Sequence, residues 1–288
     1  MTKTEELKLC QDYINKIKSK EICAKYHCST TTLHQVLDKN GIPKRQTHNY
    51  KKDLSKLFDL SNPDTQYWLG FICADGNIAY NIESRLYKVS LFSKDQEVID
   101  KFTKYMGKEN VSFHKRKQNG ILEVYISSKI LCEYFINKLN ITPNKSLTLN
   151  PNIKYTSDFI RGYFDGDGSI RNSTEKQVRY ECNITCASKE FIDKIKQILD
   201  NLEIYSIIYQ HTDCNAYKIR IDRKADSRKF YEFLYKNAKT YLERKRNNFV
   251  ALFGNLEEKK LGELREQVGK SAAKQEEQNL LEGSTINN

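Results

Sequence analysis

Trp68-Leu69-Gly70-Phe71-Ile72-Cys73-Ala74-Asp75-Gly76 returns 92 residues later as Ile160-Arg161-Gly162-Tyr163-Phe164-Asp165-Gly166-Asp167-Gly168. Each copy is an apolar stretch with small residues four apart, and each closes on Asp-Gly. A four-residue spacing puts Gly70 with Ala74, and Gly162 with Gly166, on one helix face. A face without side chains lets two backbones approach closely. The spacing therefore predicts two helices packed side by side, delivering Asp75 and Asp167 together at their C-terminal ends. A carboxylate there faces the negative end of the helix dipole. Two such groups side by side repel unless a proton or cation lies between them. The pattern points to a divalent-metal site on a pseudo-twofold axis.

The repetition continues past the motifs. At a shift of 93, residues 87–102 (YKVSLFSKDQEVIDKF) lie over residues 180–195 (YECNITCASKEFIDKI). Tyr87 matches Tyr180, Glu97 matches Glu190, and Ile99-Asp100-Lys101 matches Ile192-Asp193-Lys194. An internal duplication of this kind predicts a two-unit architecture. Both units in one chain predict a monomer with built-in pseudo-symmetry.

The two nine-residue stretches resemble, in register, the paired signature helices of LAGLIDADG homing endonucleases, with Asp75 and Asp167 at the acidic eighth position. The resemblance implies an α/β (α+β) fold: two pseudo-symmetric αββαββα half-domains forming a DNA-binding saddle. It implies metal-dependent cutting of both DNA strands, staggered across the minor groove, with each aspartate anchoring metal for one strand. Mg²⁺ (or Mn²⁺) takes hard oxygen ligands and often only one or two protein carboxylates. The main-chain carbonyls of Ala74 and Gly166 adjoin the aspartates and are candidate ligands as well. The family also places a basic residue near each active site. Lys145, in Pro143-Asn144-Lys145-Ser146, and Lys245, in Tyr241-Leu242-Glu243-Arg244-Lys245, resemble that pair. Either could stabilise extra phosphate charge or be a solvated, phosphate-holding lysine. Ser93 and Lys94 stand at a strand end that often carries a polar active-site residue in the family, whereas the second half has Cys186 and Ala187. This departure predicts unequal centres. Asp165, matched in the first half by Cys73, reads as a flanking or capping residue.

Along the chain, the boundaries expected are 1–52, 53–150, 151–254 and 255–288. The first segment reads as a small all-α helix-turn-helix domain with a basic linker. Its helices fall near 5–18, 20–26 and 30–40, with Ser29 as an N-cap and Gly41, backed by Pro43, as a stop. In a helix-turn-helix the second helix enters the major groove, exposing Thr30, Thr31, His34 and Gln35. Lys44 and Arg45 open a basic stretch, residues 44–52, suited to tracking phosphates. The bland alternative is a small helical domain with a solvated linker.

In the first repeat, strands are expected over 87–92, 111–115 and 122–126, with Asn119-Gly120 as a hairpin turn and helices over 95–106 and 129–139. In the second, strands are expected over 169–171, 178–186, 205–211 and 216–221, and helices over 189–202, 227–235 and 240–253. Alternation along a strand turns one row of side chains toward DNA. Candidates for that row are Arg85, Lys88, Ser90, Lys94, Lys115, Lys117 and Glu123 in the first half. The second half offers Arg171, Arg179, Glu181, Asn183, Thr185, Lys218 and Arg220. A one-residue slip of register reverses the face, and each candidate is equally readable as a solvated strand residue. The Glu-, Lys- and Gln-rich segment 255–288 reads as a poorly packed tail.

Composition points the same way. The net charge of +11 over 288 residues suits a polyanionic partner, double-stranded DNA with a long target site first. No apolar run reaches the ~20 residues that span a bilayer. The eight cysteines form no CxxC pair, so reduced thiols in a soluble intracellular protein are expected. Neither Cys23, His27 and Cys28 nor Cys182 and Cys186 have zinc spacing. The start at Met1 and the lack of a terminal His-Asn pair suit a free-standing or intron-encoded protein more than a splicing intein. The function expected is a site-specific homing endonuclease. The alternative is an RNA maturase or a non-cleaving DNA-binding regulator of the same fold.

Overall fold

The computed structural model describes residues 1–44, 52–115, 120–171, 179–210 and 215–255. The chain divides into two compact units, Met1–Lys51 and Lys52–Asn288.

The N-terminal unit holds three helices, α1 (Lys3–Ile14), α2 (Ser19–Lys25) and α3 (Thr30–Lys39). Thr2 and Glu5 close a capping box on α1, which satisfies two orphan donors reciprocally. Ser29 caps α3 by accepting from Thr32 N. Gly41 ends that segment with φ +66°, a left-handed conformation that glycine adopts without strain. Leu9, Cys10, Tyr13, Ile22, Leu33, Val36 and Leu37 form the core of the unit. Ion pairs Lys25–Asp12 and Lys39–Glu6 brace it from outside.

The larger unit starts with a short helix α4 (Ser55–Phe58) and then runs through two copies of one pattern. The first copy is α5 (Pro63–Asp75), β1 (Gly76–Asn81), β2 (Leu86–Ser93), α6 (Gln96–Met106), β3 (Ser112–Lys115), β4 (Leu122–Ser127) and α7 (Lys129–Asn137). The second is α8 (Ser157–Asp167), β5 (Ser169–Ile170), β6 (Cys182–Cys186), α9 (Lys189–Asn201), β7 (Ile207–Gln210), β8 (Tyr217–Ile221) and α10 (Lys224–Tyr235), with α11 (Glu243–Phe253) appended. The fold is thus α+β, with two four-stranded antiparallel sheets ordered β1-β2-β4-β3 and β5-β6-β8-β7. Strand β1 adds one strand to the sequence reading. It starts on Gly76 itself, so the chain leaves the motif helix straight into the sheet. Asn62 caps α5 and Pro63 fills its first turn, where a missing N–H is harmless.

Val89, Leu91, Val124 and Ile126 turn inward from the first sheet, and Cys182, Ile184, Ile219 and Ile221 from the second. Helices α6, α7, α9 and α10 cover these faces with Val98, Ile99, Phe102, Phe135, Phe191, Ile195 and Phe230. Helix α5 is buried continuously from Thr65 to Cys73. An all-round apolar helix belongs at the centre of a fold, and this one packs against α8.

Candidate active site

The site is built on the seam between α5 and α8. A Cβ on Gly70 would lie 2.0 Å from Phe159 O, and one on Gly162 would lie 1.9 Å from Tyr67 O. The contacts are reciprocal: Gly70 meets Phe159 and Tyr163, while Gly162 meets the equivalent Tyr67 and Phe71. This exchange is the signature of a twofold axis between the helices. One turn further on, a Cβ on Gly166 would meet Ala74 Cβ at 2.4 Å and Asp75 Oδ2 at 3.4 Å. Backbone therefore touches backbone, and both helix ends arrive at one place.

Asp75 and Asp167 sit at those ends. Burial, with the Asp167 charge added to it, raises the pKa of Asp75 to about 6 against the opposing pull of Lys245, Lys145 and Arg244. Burial also raises Asp167, with Lys145 and Lys245 opposing. Asp75 is partly buried and Asp167 exposed, and the Asp167 charge acts on Asp75, so negative charge gathers at the two helix ends. Among the described residues no three His, Cys, Asp or Glu side chains converge on one point. The pair is thus an open two-carboxylate site whose hard oxygens fit Mg²⁺ completed by substrate oxygens and water. Asp75 should gain its charge near pH 6, so cation affinity at the site should rise between pH 5 and 7. Its folded pKa lies above the ordinary carboxylate value. The stability it confers is therefore full below about pH 4 and lost as pH rises through 6. A chemical denaturation series from pH 4 to 8 without divalent cations, with Asp75→Asn as reference, checks this sign.

Lys145 and Lys245 occupy equivalent places. Lys145 Nζ donates to Gly76 O at 2.6 Å, and Lys245 Nζ to Gly168 O, also at 2.6 Å. Lys245 donates further to Phe164 O at 2.5 Å and Gly166 O at 3.2 Å. Each ammonium meets the negative end of a motif helix, where a cation is favourable. Burial lowers the Lys145 pKa and lowers that of Lys245 to about 8. Gly166 O, a candidate metal ligand, already accepts from Lys245. Lys245→Met would remove the ammonium donor from three main-chain carbonyls, of which Phe164 O keeps its bond from Gly168 N. We expect a loss of about 2 kcal/mol in urea unfolding, with a smaller loss for Lys145→Met.

Asp165 is no flanking residue. It is 1% exposed and accepts from Tyr67 OH at 3.0 Å, Tyr235 OH at 2.7 Å and Leu242 N at 2.7 Å. It joins both motif helices to α10 and to the start of α11. Arg161, 2% exposed, works beside it. Arg161 donates to Thr240 O at 2.9 Å, Leu234 O at 2.8 Å and Asp158 Oδ1 at 2.5 Å. Their partners lie some 70 to 80 residues downstream, where the nine-letter motif gives no sign of them.

The sheets carry polar outer faces. In the second, register aligns Asn183 with Arg220 and Ser169, and Thr185 with Lys218. Arg171 bonds Glu181 at 3.0 Å, and Tyr209 lies under Lys218 and Arg220. These residues line an open groove of about 580 Å³. In the first sheet Lys88 and Ser90 both bond Glu123. Lys115 is opposite Leu122, so it takes the inward-facing parity. His114, opposite Glu123, takes the outward place that Lys115 was expected to hold. Arg85 is in the β1–β2 turn with φ 52°, and Arg179 leads into β6. On α3, Thr30, Thr31 and Gln35 are exposed and His34 is half-buried. Lys44 pairs with Asp38. Arg45, Lys117, the Asn119 half of the turn and the 256–288 tail lie outside the described residues.

Two domain families match the chain side by side: the WhiA LAGLIDADG-like domain over residues 64–145 and the LAGLIDADG-like domain over residues 154–235. The chain belongs to the LAGLIDADG family. Its relatives include an uncharacterized protein of Methanocaldococcus jannaschii, 26% identical over 191 residues, covering 61% of this chain and 68% of that one. The DNA-directed RNA polymerase subunit Rpo1C of the same organism is 29% identical over 151 residues, but the match covers 50% of this chain and only 16% of the subunit. A probable translation initiation factor IF-2 of Thermococcus kodakarensis is 37% identical over 92 residues, covering 32% of this chain and 8% of the factor. The LAGLIDADG chain is also similar in structure to I-DmoI in complex with DNA and Mn: 20% identity, TM-score 0.46, covering 64% of this chain and 100% of that one. For I-SmaMI bound to uncleaved DNA with calcium the values are 14%, 0.46, 66% and 89%. Among the described residues no helix is long and apolar enough to cross a membrane.

Proposed function

We propose that this LAGLIDADG protein is a site-specific homing endonuclease that makes a staggered double-strand break in DNA. The observation that carries this reading is the meeting of Asp75 and Asp167 at the ends of two helices in backbone contact, each carboxylate held above its ordinary pKa. A site that only bound a polyanion would not gather two carboxylates where the phosphates must lie. A divalent cation there, Mg²⁺ or Mn²⁺, would neutralise the phosphodiester and activate the attacking water. The chain's own part is to hold the two carboxylates, and Lys145 and Lys245 hold the helix ends that bear them. Lys88, Asn183, Arg220 and their neighbours offer donors and acceptors for base edges. The three-helix unit, with Thr30, Thr31 and Gln35 exposed on α3, would add a helix-turn-helix contact outside the cut site. The chain would act as a monomer, since both carboxylates come from one polypeptide.

The relatives support mobility. Parts of this chain recur within two proteins of unrelated name, as 16% and 8% of their lengths. A unit that inserts into different genes has this distribution. The second reading is a non-cleaving DNA-binding regulator, since the WhiA-type match of the first half carries no cleavage activity with it. A randomised double-stranded library incubated with the protein and Mg²⁺, followed by capture of new ends, separates the two. The expected result is one enriched sequence with a fixed overhang. Enrichment of bound but intact DNA would overturn the nuclease reading and establish the regulator.

A further inference from the structure

The two centres are furnished differently, and α11 is the reason. Its N-terminus is pinned from both halves: Leu242 N donates to Asp165 Oδ2 at 2.7 Å and Glu243 N to Glu97 Oε1 at 3.2 Å. Lys101 Nζ adds a bond to Tyr241 O at 2.7 Å. The next two residues then part company. Lys245 is 4% exposed and tied to the second motif. Arg244 crosses to the first half, where its Nε meets Asp95 Oδ2 at 3.0 Å.

Arg244 there lines a cleft of about 280 Å³ with Asp75, Asp165, Ser93, Lys94 and Asp95. Two cations in the first turn of a helix oppose its dipole, an arrangement that folding alone does not favour and that marks functional positions. Lys245 is compensated by three carbonyls. Arg244 is compensated by one carboxylate through one N–H, and its Nη1 and Nη2 make no hydrogen bond among the described residues. A guanidinium presents five donors in a fork that fits phosphate. Asp75, Asp95 and Asp165 set the opposing charge in this cleft, so an anion must bring a cation with it or sit on the Arg244 and Lys94 side. The other centre has no such pair. Cys186 and Ala187 replace Ser93 and Lys94 there, and Asn144 precedes Lys145 where Arg244 precedes Lys245.

We infer that Arg244, reaching across from the second half, binds a DNA phosphate in the cleft of Asp75 together with Lys94, and that the strand served by Asp75 is cut first. This rests on the nuclease reading for the order of cutting, though not for the phosphate contact. On the enriched target, strand-specific nicking is followed with each strand end-labelled; Asp75→Asn and Asp167→Asn identify which strand each aspartate serves. Arg244→Ala is expected to slow the Asp75 strand about 10–100-fold and leave the other within twofold, with Arg244→Lys intermediate. Binding measured in EDTA gives a second readout. The slope of log affinity against log salt should fall in magnitude by about 0.9 in Arg244→Ala, the value for one phosphate contact. Equal slowing of both strands, or an unchanged slope, would overturn the assignment. A wild-type protein that never cuts, with the slope still reduced by Arg244→Ala, would overturn the nuclease reading and the order of cutting while upholding the phosphate contact. Arg244 is an exposed residue with one ion pair, so its replacement leaves the fold intact.

Discussion

Asp167→Asn and Asp75→Asn should each abolish double-strand cleavage, lowering its rate by at least about 10²–10³, while DNA affinity stays within a few-fold. Asparagine keeps the size and one acceptor of the side chain but removes the charge that would hold a divalent cation. The sheets and the three-helix unit, which would supply most contacts to DNA, are untouched. The same variants should be more stable than wild type in the absence of divalent ions. Burial raises both pKa values and the Asp167 charge raises that of Asp75, so removing either carboxylate relieves desolvation, and at Asp75 repulsion as well. For Asp75→Asn we expect a gain of about 1–2 kcal/mol at pH 7, below the value of a two-unit pKa shift because the group is partly exposed, and for Asp167→Asn a gain of the same sign. Gel assays for both products and thermal unfolding in EDTA check the two halves of the expectation. Full cutting by both variants would remove Asp75 and Asp167 from the chemistry. Lost cutting with lowered stability would mean that they serve the fold instead.

Gly162→Ala should be the most damaging single methyl group in the molecule. Its Cβ would fall 1.9 Å from Tyr67 O and 2.8 Å from Tyr67 C, both main-chain atoms that cannot rotate away. The helices would have to part by about 1 Å to reach even the shortest separations that real Cβ atoms show. Overpacking of this kind typically costs about 1–3 kcal/mol, and rigid backbone on both sides puts Gly162 at the upper end. That corresponds to a fall of roughly 6–12 °C in Tm. Parting the helices also moves Asp75 from Asp167, so cutting should fall further than stability. Gly70→Ala should behave alike, since its contact with Phe159 O is the mirror of this one. Gly166→Ala offers a control: its clash is with Ala74 Cβ at 2.4 Å, and Ala74→Gly should partly restore both folding and cutting. Coupling of that size between neighbours is what a double-mutant cycle reads.

The motif helices, their seam and the alternation of most strands were legible in the sequence because each rests on local spacing. Gly70 and Ala74 four apart say that a helix has a bare face, and the second copy says what packs there. Lys218 and Arg220 alternate with Ile219 and Ile221, so their outward face followed from parity alone. What the sequence hid depends on long-range meeting. Asp165 looked like an appendage of Asp167 because Tyr67, Tyr235 and Leu242 converge on it only in three dimensions. The face of Lys115 stays open in the sequence because β3 is short, and parity in so short a strand is fixed only by its partner β4. Arg244 reads in the sequence only as the neighbour of Lys245. Nothing in a linear reading says that adjacent residues on one helix serve opposite halves. Strand β1 was missed because Gly76 closes the motif, and a helix that hands its chain directly to a sheet leaves no loop residues to announce the change.

The seam has a consequence for how such a protein can change. Gly70 and Gly162 set main chain against main chain, and Gly166 meets the Ala74 methyl, so the gap between the two carboxylates is fixed almost wholly by peptide geometry. Side-chain drift has no lever on it. The outward rows on the strands touch neither helix and are free to vary. On the nuclease reading, base preference can therefore wander while the spacing of the two cuts stays constant.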